Sequence, residues 1–274
     1  KEAEERVICG VDLGINTDAV CSIMQSDGTV VARKFINFPT EKDRLRRVLN
    51  RTRKKQRQHG PKAVTGLWNY ARRINDDLAI KVSREIVRFA KDHQADVIVF
   101  EYLETKGRKN RGKNAQKLHM WKKKGIQNIK ERLAHRNGMH ISRVCARNTS
   151  ALAFDGSGPV IRDKKNHSLC TFRNGKQYNC DLSASYNIGA RYFIREILKP
   201  FPEKERSELE AKVLQTPRRS SCVYADLLDL QKRMEIFGMR AGSLTAVYDI
   251  CGEAGQWSVE LRKSRIRRRP GPAA

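Results

Sequence analysis

Val7-Ile-Cys-Gly-Val-Asp-Leu-Gly-Ile-Asn-Thr-Asp-Ala-Val-Cys-Ser-Ile-Met-Gln-Ser-Asp-Gly-Thr-Val-Val31 reads as an apolar hairpin that carries one carboxylate out of its first strand. The β-rich run Val7 to Val11 ends at Asp12, and Gly14 and Asn16 supply a tight reversal. A second strand follows from Ala19 to Met24. Asp27-Gly28 is a strong turn signal into a third strand, Val30 to Phe35. Two later stretches present acids in a similar setting. Val97-Ile-Val-Phe-Glu101 is a short apolar strand capped by a glutamate, and Asp181-Leu-Ser-Ala-Ser-Tyr-Asn-Ile188 opens a helix with an aspartate. The expectation is that Asp12, Glu101 and Asp181 meet in space and hold divalent metal.

Outward from the hairpin, Thr40 reads as a helix N-cap with Asp43 three residues on. The helix then runs from Glu41 to Gln58, nearly one-signed, through Arg44, Arg46, Arg47, Arg51, Arg53, Lys54, Lys55 and Arg57. A solvated face is the ordinary reading of a charge run. Its length and single sign here favour contact with a nucleic-acid backbone. Leu67 to His93 repeats apolar residues at Leu67, Tyr70, Ala71, Ile74, Leu78, Val82, Ile86, Phe89 and Ala90, a core stripe at helical period. After strand Val97 to Phe100, Lys106-Gly-Arg-Lys-Asn-Arg-Gly-Lys-Asn114 has loop composition. A basic helix is expected over Ala115 to Asn137, with Trp121 on its packing face, Lys122, Lys123 and Lys124 outside, and Gly138 closing it. Met139 to Cys145 reads as a fifth strand.

Turn signals at Asp155-Gly-Ser-Gly-Pro159 and Asn174-Gly175 mark residues 148–180 as a small hairpin insertion. Helix Asp181 to Leu198 follows, stopped by Pro200 and Pro202. Glu203 to Leu214 and Arg218 to Phe237 read as helical, Ser243 to Ile250 as a strand, and Arg262 onward as a basic tail. Three strands, a helix, a strand, a helix, a strand and a helix give the order of an RNase H-like fold. That is an α/β mixed sheet with helices on both faces and right-handed crossovers. The expected divisions are 1–147, the insertion 148–180, the last helix 181–199 and a partly helical extension 200–274.

The 274 residues carry 56 Lys+Arg against 30 Asp+Glu, a formal charge of +26, which calls first for a polyanionic partner. No apolar run approaches the roughly 20 residues a membrane span requires, and no secretory signal opens the chain. Seven scattered cysteines point to free thiols in a reducing compartment, the cytoplasm or nucleoid. The chain opens at Lys1 with few residues before its first strand, as one part of a longer protein would.

Clustered acids repel one another and favour their protonated forms unless a cation joins them. Two magnesium ions, which take hard oxygen ligands, would offset that cost. They are suited to phosphodiester hydrolysis because one ion can stand on each side of an in-line displacement. Taken singly, an Asp after a strand is more often a turn cap and an Asp opening a helix more often an N-cap. Asp12-Leu-Gly-Ile-Asn-Thr17 also resembles the first phosphate loop of actin-like ATPases. That reading needs a second Asp-Gly-rich strand and a duplicated domain, which the sequence lacks.

Gly10-Val-Asp-Leu-Gly-Ile-Asn-Thr-Asp-Ala-Val20 resembles the first RuvC motif of TnpB nucleases and their type V CRISPR effector descendants. Val97-Ile-Val-Phe-Glu-Tyr-Leu103 resembles the second and Asp181 to Ile188 the third, where Ser183 replaces the usual Asn. The resemblance spans about Val7 to Leu198. It implies RNA-guided DNA cleavage with Asp12, Glu101 and Asp181 as ligands of two Mg2+ ions (Mn2+ substituting), guide RNA and target DNA as partners, and a recognition half ahead of this domain. The family's zinc-binding Cys-x-x-Cys pairs are degraded: Ala153 and Gly156 stand at two cysteine places. Cys145, Cys170, Cys180 and His167 would form only an irregular set, and free cysteines are the preferred reading over zinc. Contacts to guide and target backbone would fall to Arg46, Arg47, Arg51, Arg53, Lys54 and Lys55, to Lys106, Arg108, Lys109 and Arg111, and to Lys122, Lys123 and Lys124. Trp121 and Phe172 are candidates for base stacking. A guided binder without cleavage and an unguided resolvase or transposase of the same fold are the rival readings.

Overall fold

The computed structural model describes residues 5–102, 123–198 and 222–236. The chain divides into two compact units. One comprises Arg6–Gln25 and Thr29–Val144. The other holds the described residues from Cys145 onward together with Glu5 and Ser26–Gly28.

The first unit is built on a five-stranded mixed sheet ordered β3-β2-β1-β4-β5. Its strands are β1 (Ile8–Asp12), β2 (Ala19–Met24), β3 (Val30–Ile36), β4 (Val97–Tyr102) and β5 (His140–Cys145). β1, β2 and β3 form an antiparallel meander, and β4 lies parallel to β1. Period-two alternation sorts the side chains. Cys9, Val11, Ala19, Cys21, Ile23, Ile98 and Phe100 enter one core with helix α2 (Thr65–Asp92). Ile126 and Ala134 of α3 (Lys123–Arg136) close the same core. Ser83, buried on α2, donates to its own Ala79 carbonyl and to Ile126 O at 3.2 Å, tying α2 to α3.

Most of the apolar stripe read on α2 is buried. Leu67 is only half-buried, and Tyr70 is 39% exposed, its hydroxyl accepting from Arg44 of α1 (Pro39–His59) at 3.0 Å. A ring with a polar tip can sit at the stripe's edge at little cost. The N-cap expectation for Thr40 is corrected. Phe38 is the capping residue, without a side-chain cap bond. Asp18 accepts the Phe38 N–H at 2.8 Å. Pro39 presets the first-turn backbone and brings no N–H that needs satisfying. Gly60, at φ +78°, ends the helix.

In the second unit, β6 (Ile161–Arg162), β7 (Leu169–Thr171) and β8 (Gln177–Asn179) form an antiparallel sheet, with the expected turn at Asn174-Gly175. Helices α4 (Cys180–Leu198) and α5 (Tyr224–Ile236) complete it. Phe154 gathers Phe172, Tyr178, Tyr186 and Tyr224 at centroid distances of 5.0–6.0 Å. Phe172 is 2% exposed, which removes it as a base-stacking candidate. Trp121 lies outside the described residues, as do the expected elements at 203–214 and 243–250.

Candidate metal centre

The β1–β4 register pairs Ile8 with Val97 and runs to Val11 with Phe100, so one residue further Asp12 stands level with Glu101. Cys9 and Val11 face α2, as do Ile98 and Phe100. Alternation therefore sends Asp12 and Glu101 out of the opposite face, from strands about 4.8 Å apart. They are only 9% and 8% exposed. Two carboxylates so placed offer hard oxygen donors of the kind a divalent cation takes.

The loop after Asp12 is tied down by its own polar contacts. A Cβ on Gly14 would stand 2.6 Å from Thr17 O, so this turn requires glycine. Lys42, from the first turn of α1, donates to Asn16 O and to Asn37 Oδ1 and pairs with Asp18 at 3.1 Å. Burial raises the pKa of Asp18, against the opposing pull of the Phe38 N–H and Lys42. Sequence reading missed this clamp because Asp18 and Asn16 lie 20 or more residues from Phe38 and Lys42, and each looks like an ordinary surface polar group.

Asp181 sits in the first turn of α4, in the second unit. Asn179 accepts the Leu182 N–H at 2.9 Å and so does the capping, which leaves the Asp181 carboxylate out of that role. Desolvation raises its pKa, and nearby Arg162 opposes the shift. Further along the helix, Asn187 Nδ2 donates to Thr149 O and Leu152 O, and its Oδ1 accepts the Tyr224 N–H. Arg191 donates to the carbonyls of Cys145, Arg147 and Cys222. Ser183, where the resembled motif carries Asn, accepts the Phe154 N–H at 3.2 Å. These three side chains hold the frame around the helix that carries Asp181. Among the described residues, no three His, Cys, Asp or Glu side chains are grouped so as to hold a metal. The sheet itself brings together the pair Asp12 and Glu101.

The residues present do not fit a zinc ribbon. Cys170 and Cys180 are buried side by side, but among the described residues no group of three His, Cys, Asp or Glu side chains forms that could close a four-ligand site. Ala153 is fully buried, and Gly156 has φ +78° with Ala225 Cβ only 3.3 Å from where its own Cβ would be. Cys145 and His167 are both exposed.

Arg46, Arg47, Arg51, Arg53, Lys54 and Lys55 are all exposed along α1. Arg46 pairs with Asp43 at 3.1 Å, a contact open to solvent and weak. Lys106, Arg108, Lys109, Arg111 and Lys122 lie outside the described residues, as do the side chains of Lys123 and Lys124 at the start of α3.

Comparison with known proteins bears out the sequence resemblance and the fold. A TnpB-like protein of Aquifex aeolicus (strain VF5) is 26% identical over 208 residues, covering 68% of this chain and 68% of that protein. A Cas12f1 structure, solved as a complex with sgRNA and target DNA, aligns at TM-score 0.50 and 21% identity over 66% of this chain. The chain spans about half (49%) of that Cas12f1 chain. A Cas12f ternary complex aligns at TM-score 0.46 and 22% identity, covering 69% of this chain and 39% of that one. No family model matches the chain.

Proposed function

We propose that this chain, a relative of a TnpB-like protein with the RuvC-type fold, is the catalytic half of a magnesium-dependent, RNA-guided DNA endonuclease. The register that sets Asp12 level with Glu101 on one sheet face carries the reading. Asp12 and Glu101 are the ligands that the sheet supplies, and Asp181 is assigned as the third on the motif resemblance alone. Magnesium bound there would supply a water of lowered pKa and neutralise charge on the leaving oxygen.

The residues' own tasks follow from their settings. Asp12 and Glu101 are fixed by paired strands, so their spacing does not depend on a mobile loop. The Lys42–Asp18 contact holds the loop that begins one residue after Asp12. Asn187 and Arg191 hold α4 in its frame, and capping by Asn179 leaves Asp181 available. The exposed cations of α1 bind phosphates without reading sequence. Sequence would be read by guide pairing, as the charge surplus and the Cas12f1 complex with sgRNA and target DNA support.

The test is cleavage of single-stranded and plasmid DNA with magnesium or with EDTA, using protein purified with any RNA it retains. Cleavage that requires magnesium and disappears in both Asp12→Ala and Glu101→Gln is expected. Cutting retained in either variant would defeat the site assignment.

A further inference from the structure

We propose that Phe35 is a stacking platform for a base of the strand being cut. The inference rests on the reading of Asp12 and Glu101 given above and adds a residue that positions their substrate. The sheet register carries it. Asp12 pairs with Val20, and Val20 pairs with Phe35. Directly opposed residues share a face, so Glu101, Asp12, Val20 and Phe35 form one row across four strands. The other set on β3 fits the same parity: Ile36 enters the core with α2, and Lys34 reaches Glu85 of α2 at 2.9 Å.

β3 is the sheet's edge, and its burial alternates strictly. Val31, Arg33 and Phe35 are the exposed residues, all on the carboxylate side. Phe35 is 50% exposed and Val31 54%, although the first two strands of that face are buried throughout. An aromatic ring left half in water at the outer end of a row of buried groups is not used for the packing of its own sheet. Arg33, one step along the same face, adds a cation beside it.

The spacing suits nucleic acid. Phe35 lies two strands from Asp12, about 10 Å. A stacked strand advances about 3.4 Å per nucleotide. A phosphate held at the carboxylates would therefore place a base on the Phe35 ring about three nucleotides away, or fewer where the strand is extended. Any base offers a π face, so the platform would bind without reading sequence. With +26 on the chain, a single nucleic-acid strand is the occupant that charge favours over an apolar peptide.

The test uses a single-stranded oligonucleotide carrying one 2-aminopurine, in EDTA so that nothing is cut. Wild-type protein should quench the probe on binding. Phe35→Ala and Phe35→Leu should lose the quench and bind roughly 5-fold or more weakly, with the salt slope unchanged, while Phe35→Trp should restore both. The variants should melt with the wild type, because the ring is half-exposed. Quenching by Phe35→Leu equal to wild type, or no binding by wild type, overturns the inference. Asp12→Ala should still quench. Wild-type protein that quenches but never cleaves with magnesium would fail the nuclease reading and leave the platform standing.

Discussion

Asn179, and not Asp181, accepts the N–H that opens α4, and the consequence is electrostatic. Asp181 keeps a charge in a half-buried setting that raises its pKa. Between the unfolded value near 3.8 and the raised folded value, the native state binds more protons than the unfolded one. Stability therefore falls as pH rises through that window. Without metal, Asp181→Asn should raise the melting temperature by a few degrees at pH 7.5, an advantage that fades toward pH 4. Melts in EDTA at the two pH values check this, and a lower midpoint for the variant at pH 7.5 would contradict it. The strand-end positions of Asp12 and Glu101 and the helix-start position of Asp181 were legible in the sequence because each follows from local pattern. Asn187 and Arg191 were not, since each bonds carbonyls more than 30 residues away with no local pattern to show it.

Among the elements, β1 to β5 and the stripe of α2 followed from local pattern, whereas β6 to β8, two or three residues each, are too short to show a repeat. The start of α1 was misread because its first N–H is satisfied from Asp18, a residue of another loop. α1 itself packs on α2 through Glu41 with Lys81 at 2.9 Å, and Arg46, Arg47, Arg51, Arg53, Lys54 and Lys55 are exposed along it. Replacing Arg51, Arg53 and Lys54 with Gln should weaken DNA binding across all sequences. The salt slope should fall by about 0.7–0.9 for each phosphate that is no longer neutralised. Anisotropy titrations at several salt concentrations measure it, and an unchanged slope would leave α1 with no part in binding. The β6–β8 lobe makes a separate point. Its aromatic cluster centred on Phe154 occupies the region where the resembled family binds zinc, and Lys176 lies 5.2 Å over the Phe154 ring. Phe154→Ala should cost about 2–3 kcal/mol in chemical denaturation. A chelator should leave the lobe's near-ultraviolet circular dichroism unchanged, and a signal that disappears in EDTA would point to a metal after all.

For the whole molecule, charge and fold point the same way. A surplus of +26 seeks a polyanion. Among the described residues no helix is long and apolar enough to cross a membrane. The sheet order was readable from the sequence because the antiparallel meander and the parallel β1–β4 pair follow from connection rules. The bonds that frame α4 join residues far apart along the chain, and no local pattern encodes them. The proposal that three carboxylates share cations is most directly tested by manganese titration followed by electron paramagnetic resonance. Wild-type protein is predicted to take up manganese, with binding abolished or sharply weakened in Asp12→Ala, Glu101→Gln and Asp181→Asn alike. An Asp181→Asn protein that binds manganese as the wild type does would contradict the shared site.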